Sequence, residues 1–376
     1  MYRNKIKPEP LLIKLIRIFT GLVFIFSSTV KGIDPIGTAY RVEDYLLVYG
    51  WTSMLDYALL LGVFLIIVEF LIGFALVFRL KSNIAGLGVL LIMAVFTIIT
   101  YLDARYNMVP DCGCFGDAVK LTNWQTFYKN IFLIVLALII FIYRKRMKIK
   151  MPCRIQWVML VIFVGLYTGF VIHSYQHLPV MDFRDWKVGN DMKAEGLDLV
   201  KTYVKYQNTE TGEEQEFLSP DYPWSDSVWM SQWSFVSQRI DDSQRILKHG
   251  VMLEDVEGND WTMDIIENPE FQLILVSWDL QEASSSGLSS LRKVIDETNE
   301  LNIPIVLITS STNDVIEKYL KEYQLDVETL FADDIELKAM IRSNPGLVFM
   351  HNGIVLQKWG FRNFPDKTEL ETYLTP

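Results

Sequence analysis

Five long runs of apolar residues dominate the first half of the chain, at about 11–31, 57–78, 84–102, 126–143 and 155–173. Each is rich in Leu, Ile, Val and Phe, nearly free of charge, and long enough to cross a bilayer core of about 30 Å as a helix. Five such runs exceed what a soluble core can hide, and 51% apolar residues overall is high for a soluble chain. The first run has a basic start and Ser27-Ser28 near its end, like a signal peptide, but it lacks a small-x-small cleavage site and reads as a retained helix. After about residue 250 short apolar runs alternate with amphipathic ones. Strands are predicted at 273–278 and 303–309, helices at 286–301 and 312–324, and a hairpin at 346–350 and 354–359 turns on Asn352-Gly353. A last helix at 366–374 completes a mixed sheet with helices on both faces.

The pattern divides the chain into a four-helix transmembrane bundle (1–147), a fifth transmembrane helix (148–176), an extracytoplasmic lead-in (177–248) and an α/β domain (249–376). The lead-in is polar, acidic and aromatic (Tyr222, Trp224, Trp229, Trp233), carries no catalytic motif and reads as a small strand-rich preface.

Basic residues set the expected orientation. Arg3, Lys5 and Lys7 precede the first span, Arg79 and Lys81 join the second to the third, and Arg144, Lys145, Arg146, Lys148, Lys150 and Arg154 join the fourth to the fifth. The other two loops are acidic, with Asp34, Glu43, Asp44 and Asp56 in one and Asp103, Asp111 and Asp117 in the other. This places the N-terminus in the cytoplasm and the Cys112 loop and C-terminal domain in the periplasm of a bacterial inner-membrane protein.

That orientation gives the cysteines their meaning. Cys112-Gly113-Cys114 holds two of the chain's three cysteines in an oxidising compartment, where a pair can form and keep a disulfide. A bridge closed over one residue departs from relaxed geometry and is the more easily reduced for it. Three readings stay open: a redox couple, a structural staple and a metal-binding pair. The last is weakened because a closed zinc site takes four ligands and no His or third Cys lies nearby. Cys153, at the cytoplasmic base of the fifth span, reads as a bystander.

Glu69 sits mid-way along the second span, where a carboxylate costs several kcal/mol unless paired, protonated or facing a polar cavity. Lys31 and Arg17 on the first span are its candidate partners. It reads either as a proton-carrying or quinone-contacting carboxyl or as a lock between helices. Gly73, one turn later, permits close helix approach.

Arg17, Gly21 to Ser27, Lys31-Gly32-Ile33-Asp34-Pro35, Glu69 with Gly73, and Asp111-Cys112-Gly113-Cys114-Phe115-Gly116-Asp117 ahead of a helix bearing Asn130 resemble, over about residues 8–145, the MauE/DoxX-like family of four-helix membrane proteins. The resemblance implies help in making or maintaining disulfides in a periplasmic partner, classically beside a thioredoxin-like protein. It carries Cys112, Cys114 and Glu69 over as the catalytic set, with Lys31, Asp34 and Pro35 as weaker members.

The order of elements after 250 resembles a thioredoxin-like fold of the TlpA sort. Asn344-Pro345-Gly346 stands where such folds place a cis-proline beside the active site, and Gly360 follows the second hairpin strand as the family's glycine does. The departure is that Trp278-Asp279-Leu280-Gln281-Glu282-Ala283-Ser284-Ser285 occupies the Cys-x-x-Cys position, and no cysteine follows Cys153. The domain is therefore incapable of dithiol exchange by itself. A groove beside Pro345, Trp278 and Asp279 remains to hold an extended peptide or a separate redox protein. The whole resembles fused membrane oxidoreductase–thioredoxin proteins and two-part DoxX-family envelope proteins of Bacteroidetes.

Two functions follow. One is a thiol-disulfide electron relay through Cys112/Cys114, with quinone as a candidate cofactor and a periplasmic thioredoxin-like or thiol protein as partner. The other is a non-catalytic, membrane-anchored binding or assembly factor whose C-terminal domain docks a client. No phosphate loop, Ser/His/Asp pattern or metal cluster appears. His173 and His177, at i and i+4, suit an interfacial capping pair better than a metal. A net charge of −10 argues against nucleic acid.

Overall fold

The computed structural model describes residues 9–109, 113–195, 201–241 and 248–374. The chain divides into two compact units, Met1–Arg184 and Asp185–Pro376.

In the first unit the apolar runs become α1 (Leu11–Ile33), α3 (Ala58–Phe78), α4 (Ser82–Tyr106), α5 (Asn123–Tyr143) and α6 (Cys153–Gln176). All five are long and apolar enough to span a membrane, α3 together with the 3-10 turn Thr52–Tyr57 before it. The unit is that of a multi-pass membrane protein. α1 packs on α3, α4 on α5, and α6 on α1 and α3. Without a hydrophobic force between helices in lipid, close packing must hold them together. A Cβ on Gly73 would lie 2.8 Å from the Gly21 carbonyl oxygen and one on Gly21 would lie 2.9 Å from that of Gly73, so α1 and α3 touch backbone to backbone. Tyr167 of α6 stacks on Phe70 with ring centroids 3.9 Å apart and donates to the Ser28 carbonyl at 2.6 Å.

One helix in this unit was not predicted. α2 (Pro35–Val48) lies where only an acidic loop was read, and packs on α3. Its start is written in the sequence: Asp34 caps it, accepting from the Gly37 amide at 2.9 Å, and Pro35 fills the first turn, where a missing N–H costs nothing. α5 opens with a capping box in which Thr122 and Gln125 satisfy each other's backbone. At the end of α6 the His177 ring nitrogen Nδ1 lies 3.0 Å from the His173 carbonyl and the two rings stack.

The second unit contains two sheets. β2 (Lys201–Asn208), β3 (Glu214–Leu218) and β4 (Trp233–Asp241) form an antiparallel sheet of order β3-β2-β4, with α7 (Ser227–Gln232) beside β4. The lead-in's aromatic residues are its small core: Tyr206 is ringed by Phe217, Tyr222, Trp229 and Phe235.

The larger sheet has order β7-β6-β5-β8-β9. β5 (Phe271–Ser277), β6 (Ile305–Thr309) and β7 (Glu328–Phe331) run parallel, β8 (Gly346–His351) is antiparallel to β5, and β9 (Ile354–Gly360) returns antiparallel to β8. α8 (Thr262–Ile266) precedes β5; α9 (Ser285–Glu300), α10 (Asn313–Tyr323), α11 (Asp334–Met340) and α12 (Lys367–Leu374) complete the unit. Leu273, Leu275, Leu291, Leu347, Phe349, Trp359 and Leu370 share its core. β7 and α11 are additions to the predicted pattern: only Leu330 of β7 is fully buried, so the strand has almost no apolar alternation to read.

Both edges of this sheet are covered, which removes open pairing edges. On β9, Gly189 donates to the Val355 carbonyl at 2.8 Å and Val355 to that of Asn190 at 3.0 Å. On β7, Glu254 and Phe331 exchange both backbone hydrogen bonds. The turn after Glu254 is fastened by Asp255, whose carboxyl is held well below the usual range by hydrogen bonds from Asn259 and Trp261.

Candidate functional site

Cys114 opens β1 (Cys114–Asp117), a short extended segment lying on α1. Its thiol is free and half-buried, and Cys112, the other half of the expected pair, lies outside the described residues. The glycines on either side are required by the turn. Gly113 and Gly116 have φ of +58° and +51°, where side chains are strained, and a Cβ on Gly113 would strike Arg41 of α2 at 2.9 Å. Phe115 fastens the segment to the bundle, packed against Phe26 of α1 and under the Lys129 ammonium of α5, 4.3 Å from its ring centroid.

Below this segment lies Glu69, 1% exposed. Lys31 is its partner, with Nζ 2.6 Å from Oε1. Arg17 is not: it pairs with Glu9 at 2.8 Å and donates to the Leu76 and Val77 carbonyls, closing the end of α3. The reason is distance along the helix, since Arg17 and Lys31 are about 21 Å apart at 1.5 Å per residue. Ser27, one turn before Lys31 and so on its face, lies 3.0 Å from Glu69 Oε2 and 2.8 Å from the Cys114 carbonyl oxygen.

Glu69, Lys31, Ser27, Cys114, Lys129 and Asn130 line one cavity of about 30 Å³, walled otherwise by apolar side chains such as Met93 and Phe96. Asn130 is held there by its bond to Thr100 Oγ1 at 3.1 Å. At roughly one water per 10–15 Å³ of such space, the cavity takes about two waters and has no room for a quinone ring. Two lysines, Lys31 and Lys129, and the Glu69 carboxyl thus share one cavity with Cys114. Ser27 and Lys129 were missed in the sequence. Ser27 was legible as the i−4 neighbour of Lys31, whereas nothing local marks Lys129.

The other predicted residues are scattered by role. Asp34 caps α2, Pro35 begins it, and Gly73 makes the helix crossing. In the second unit, Trp278, Asp279 and Pro345 do converge at the end of β5. The Asn344–Pro345 bond is cis, Asn344 Nδ2 donates to the Asp279 carbonyl at 2.7 Å, and Ser277 Oγ donates to Asn344 Oδ1 at 2.6 Å. Trp278 and Asp279 are half-buried, but Pro345 is buried and offers little surface to a ligand. Cys153 is exposed, with the Lys81 ammonium 2.6 Å from its sulfur.

Among the described residues no group of three or more His, Cys, Asp or Glu side chains is placed to hold a metal ion. No curated protein matches the chain. Residues 9–143, from just before α1 to the end of α5, match the family model described as methylamine utilisation protein MauE, in agreement with the 8–145 resemblance.

Proposed function

We propose that the protein is a redox-linked inner-membrane protein that passes electrons from a periplasmic thiol protein through Cys112 and Cys114, in a membrane-associated role of the kind the family's name, methylamine utilisation, describes. The observation that supports it is the shared cavity: Cys114 and the buried Glu69 line one small space inside an apolar bundle, joined through Ser27. Buried ionisable groups in membrane helices are expensive, and their meeting at a thiol argues for use rather than chance.

In the exchange, a thiolate of the partner attacks the Cys112–Cys114 disulfide, a mixed disulfide forms, and the partner's second thiol displaces it. The partner leaves as a disulfide, and Cys112 and Cys114 have gained two electrons and two protons. Handing both electrons and both protons to a quinone, which becomes a quinol, restores the disulfide; the quinone must meet the thiols outside the cavity.

The second unit serves as a docking platform in this reading. Its strand order supports a thioredoxin-like fold for residues 249–376. Lacking cysteine, it would hold the partner and leave the chemistry to the loop. Its fold alone does not carry a function.

The expected result is that the purified disulfide form of the full chain oxidises about one equivalent of a dithiol peptide per chain. The Cys112→Ser/Cys114→Ser variant should oxidise none. Equal oxidation by both proteins would remove the relay and leave the non-catalytic binding factor.

A further inference from the structure

The end of the membrane unit where α1 begins is strongly basic. Arg79 and Lys81 lie between α3 and α4, and Arg144, Lys145, Arg146, Lys148, Lys150 and Arg154 between α5 and the first turn of α6, with no Asp or Glu in either stretch. Among the described residues the acidic side chain at this end is Glu9, and it is already taken, by Arg17 at 2.8 Å and Arg79 at 3.6 Å. Lys145, Lys148, Lys150 and Arg154 are exposed, and none of them forms an ion pair with a described residue. Basic residues clustered at a membrane surface draw anionic lipid, each by about fivefold in affinity.

One place at this end is shaped as well as charged. Cys153, Arg154, Trp157, Val158, Val161 and Ile162 line a shallow trough along one face of α6, and its exposed lining is apolar. At 1.5 Å per residue it runs about 14 Å into the membrane. That is the depth of one leaflet of a core about 30 Å thick. Its head is fixed by the chain: the Lys81 amide donates to Gln156 Oε1 at 2.8 Å, and Gln156 Nε2 donates to the Met151 carbonyl at 2.8 Å. These bonds hold the α3–α4 loop on the first turn of α6 and set the Lys81 ammonium 4.4 Å from the Trp157 ring centroid. Trp157 is exposed there, at the level where an amphipathic ring meets lipid headgroups.

We infer that this trough is a binding site for an anionic phospholipid of the surrounding bilayer. The phosphate lies at Lys81 and Arg154, and one acyl chain runs down Val158, Val161 and Ile162. Charge decides between this occupant and a second copy of the chain. A second copy lying side by side in the same membrane would bring its own basic end to the same level, where like charges repel, whereas an anionic headgroup neutralises them. The site lies at the opposite end of the bundle from Cys114, which sits beside the end of α1, and it takes no part in the proposed thiol exchange.

The test uses the full chain in detergent, stripped of lipid and titrated with phosphatidylglycerol or phosphatidylcholine of matched acyl chains, bound lipid being counted by native mass spectrometry. The parent should prefer phosphatidylglycerol by about 25-fold, a factor of about five for each of Lys81 and Arg154. Arg154→Gln should weaken phosphatidylglycerol about fivefold and leave phosphatidylcholine unchanged. Arg154→Lys, which keeps the charge, should bind nearly as the parent does. Lys145→Gln removes the same charge from outside the trough and should change affinity less than about twofold, since salt screens a distant charge. Should Arg154→Gln fail to fold, Lys81→Gln takes its place with the same expected loss. Inorganic phosphate, the headgroup charge without a chain, should not displace the lipid. Equal affinity for the two lipids, or equal losses from Arg154→Gln and Lys145→Gln, would overturn the site and leave only diffuse surface charge. Displacement by phosphate would overturn the lipid as occupant. So would a lipid-free dimer that phosphatidylglycerol fails to dissociate, which would give the trough to a second copy.

Discussion

Replacing Lys31 with Met lowers the stability of the membrane unit by about 3–5 kcal/mol, the cost of leaving one member of a buried ion pair alone. Glu69 is 1% exposed and its ion-pair partner is Lys31, 2.6 Å away, so the variant strands a carboxylate inside an apolar bundle. The Lys31→Met/Glu69→Leu double variant should regain most of the loss, because apolar replacement of a whole buried pair is often neutral or better. Thermal unfolding in detergent, followed by helix content, checks both. A single variant within about 1 kcal/mol of the parent, the range of an exposed pair, would mean that the contact does not order the bundle. The double variant separates the two meanings of Glu69 left open by the sequence. A mere lock is dispensable once replaced by packing, whereas a working carboxyl is not.

Gly73→Ala should cost about 2–3 kcal/mol, at the upper end of overpacking. The new Cβ would meet the Gly21 carbonyl oxygen at 2.8 Å, the Ile25 amide nitrogen at 2.9 Å and the Phe24 Cβ at 2.9 Å. None of those atoms can rotate aside, so α1 must move off α3. Because Gly73 is one turn from Glu69, the same movement pulls Ser27 and Lys31 away from the carboxyl, and Cys114 alkylation should change with it. Gly88→Ala is the control. Its Cβ would find only the Ile72 side chain, at 3.4 Å, so stability should be nearly unchanged. Equal losses at the two positions would show that helix propensity, and not the crossing, decides.

The membrane half was legible because its signal is long and redundant. Five apolar runs announce α1, α3, α4, α5 and α6 within a few residues, and a lone carboxylate among them announces Glu69. What escaped was short or distant. α2 hid behind its acidic residues, although Asp34-Pro35 marks its start, and β7 is four residues long with one buried side chain. The choice between Lys31 and Arg17 needed only the rise of a helix. That Ser27 bridges Glu69 and Cys114 required the fold, since the contacts span 42 and 87 residues. In the second unit the convergence of Trp278, Asp279 and Pro345 could be read from the strand order, but the burial of Pro345 could not, since it depends on how the loop before β8 packs.

The measurement that bears most directly on the central claim is the redox midpoint of Cys112 and Cys114, by thiol trapping in membranes against a graded glutathione or dithiothreitol buffer. The account predicts a pair that cycles reversibly, at a potential well above about −300 mV, below which structural disulfides lie. A pair that never oxidises, or one that forms a disulfide resistant to reduction, would contradict it.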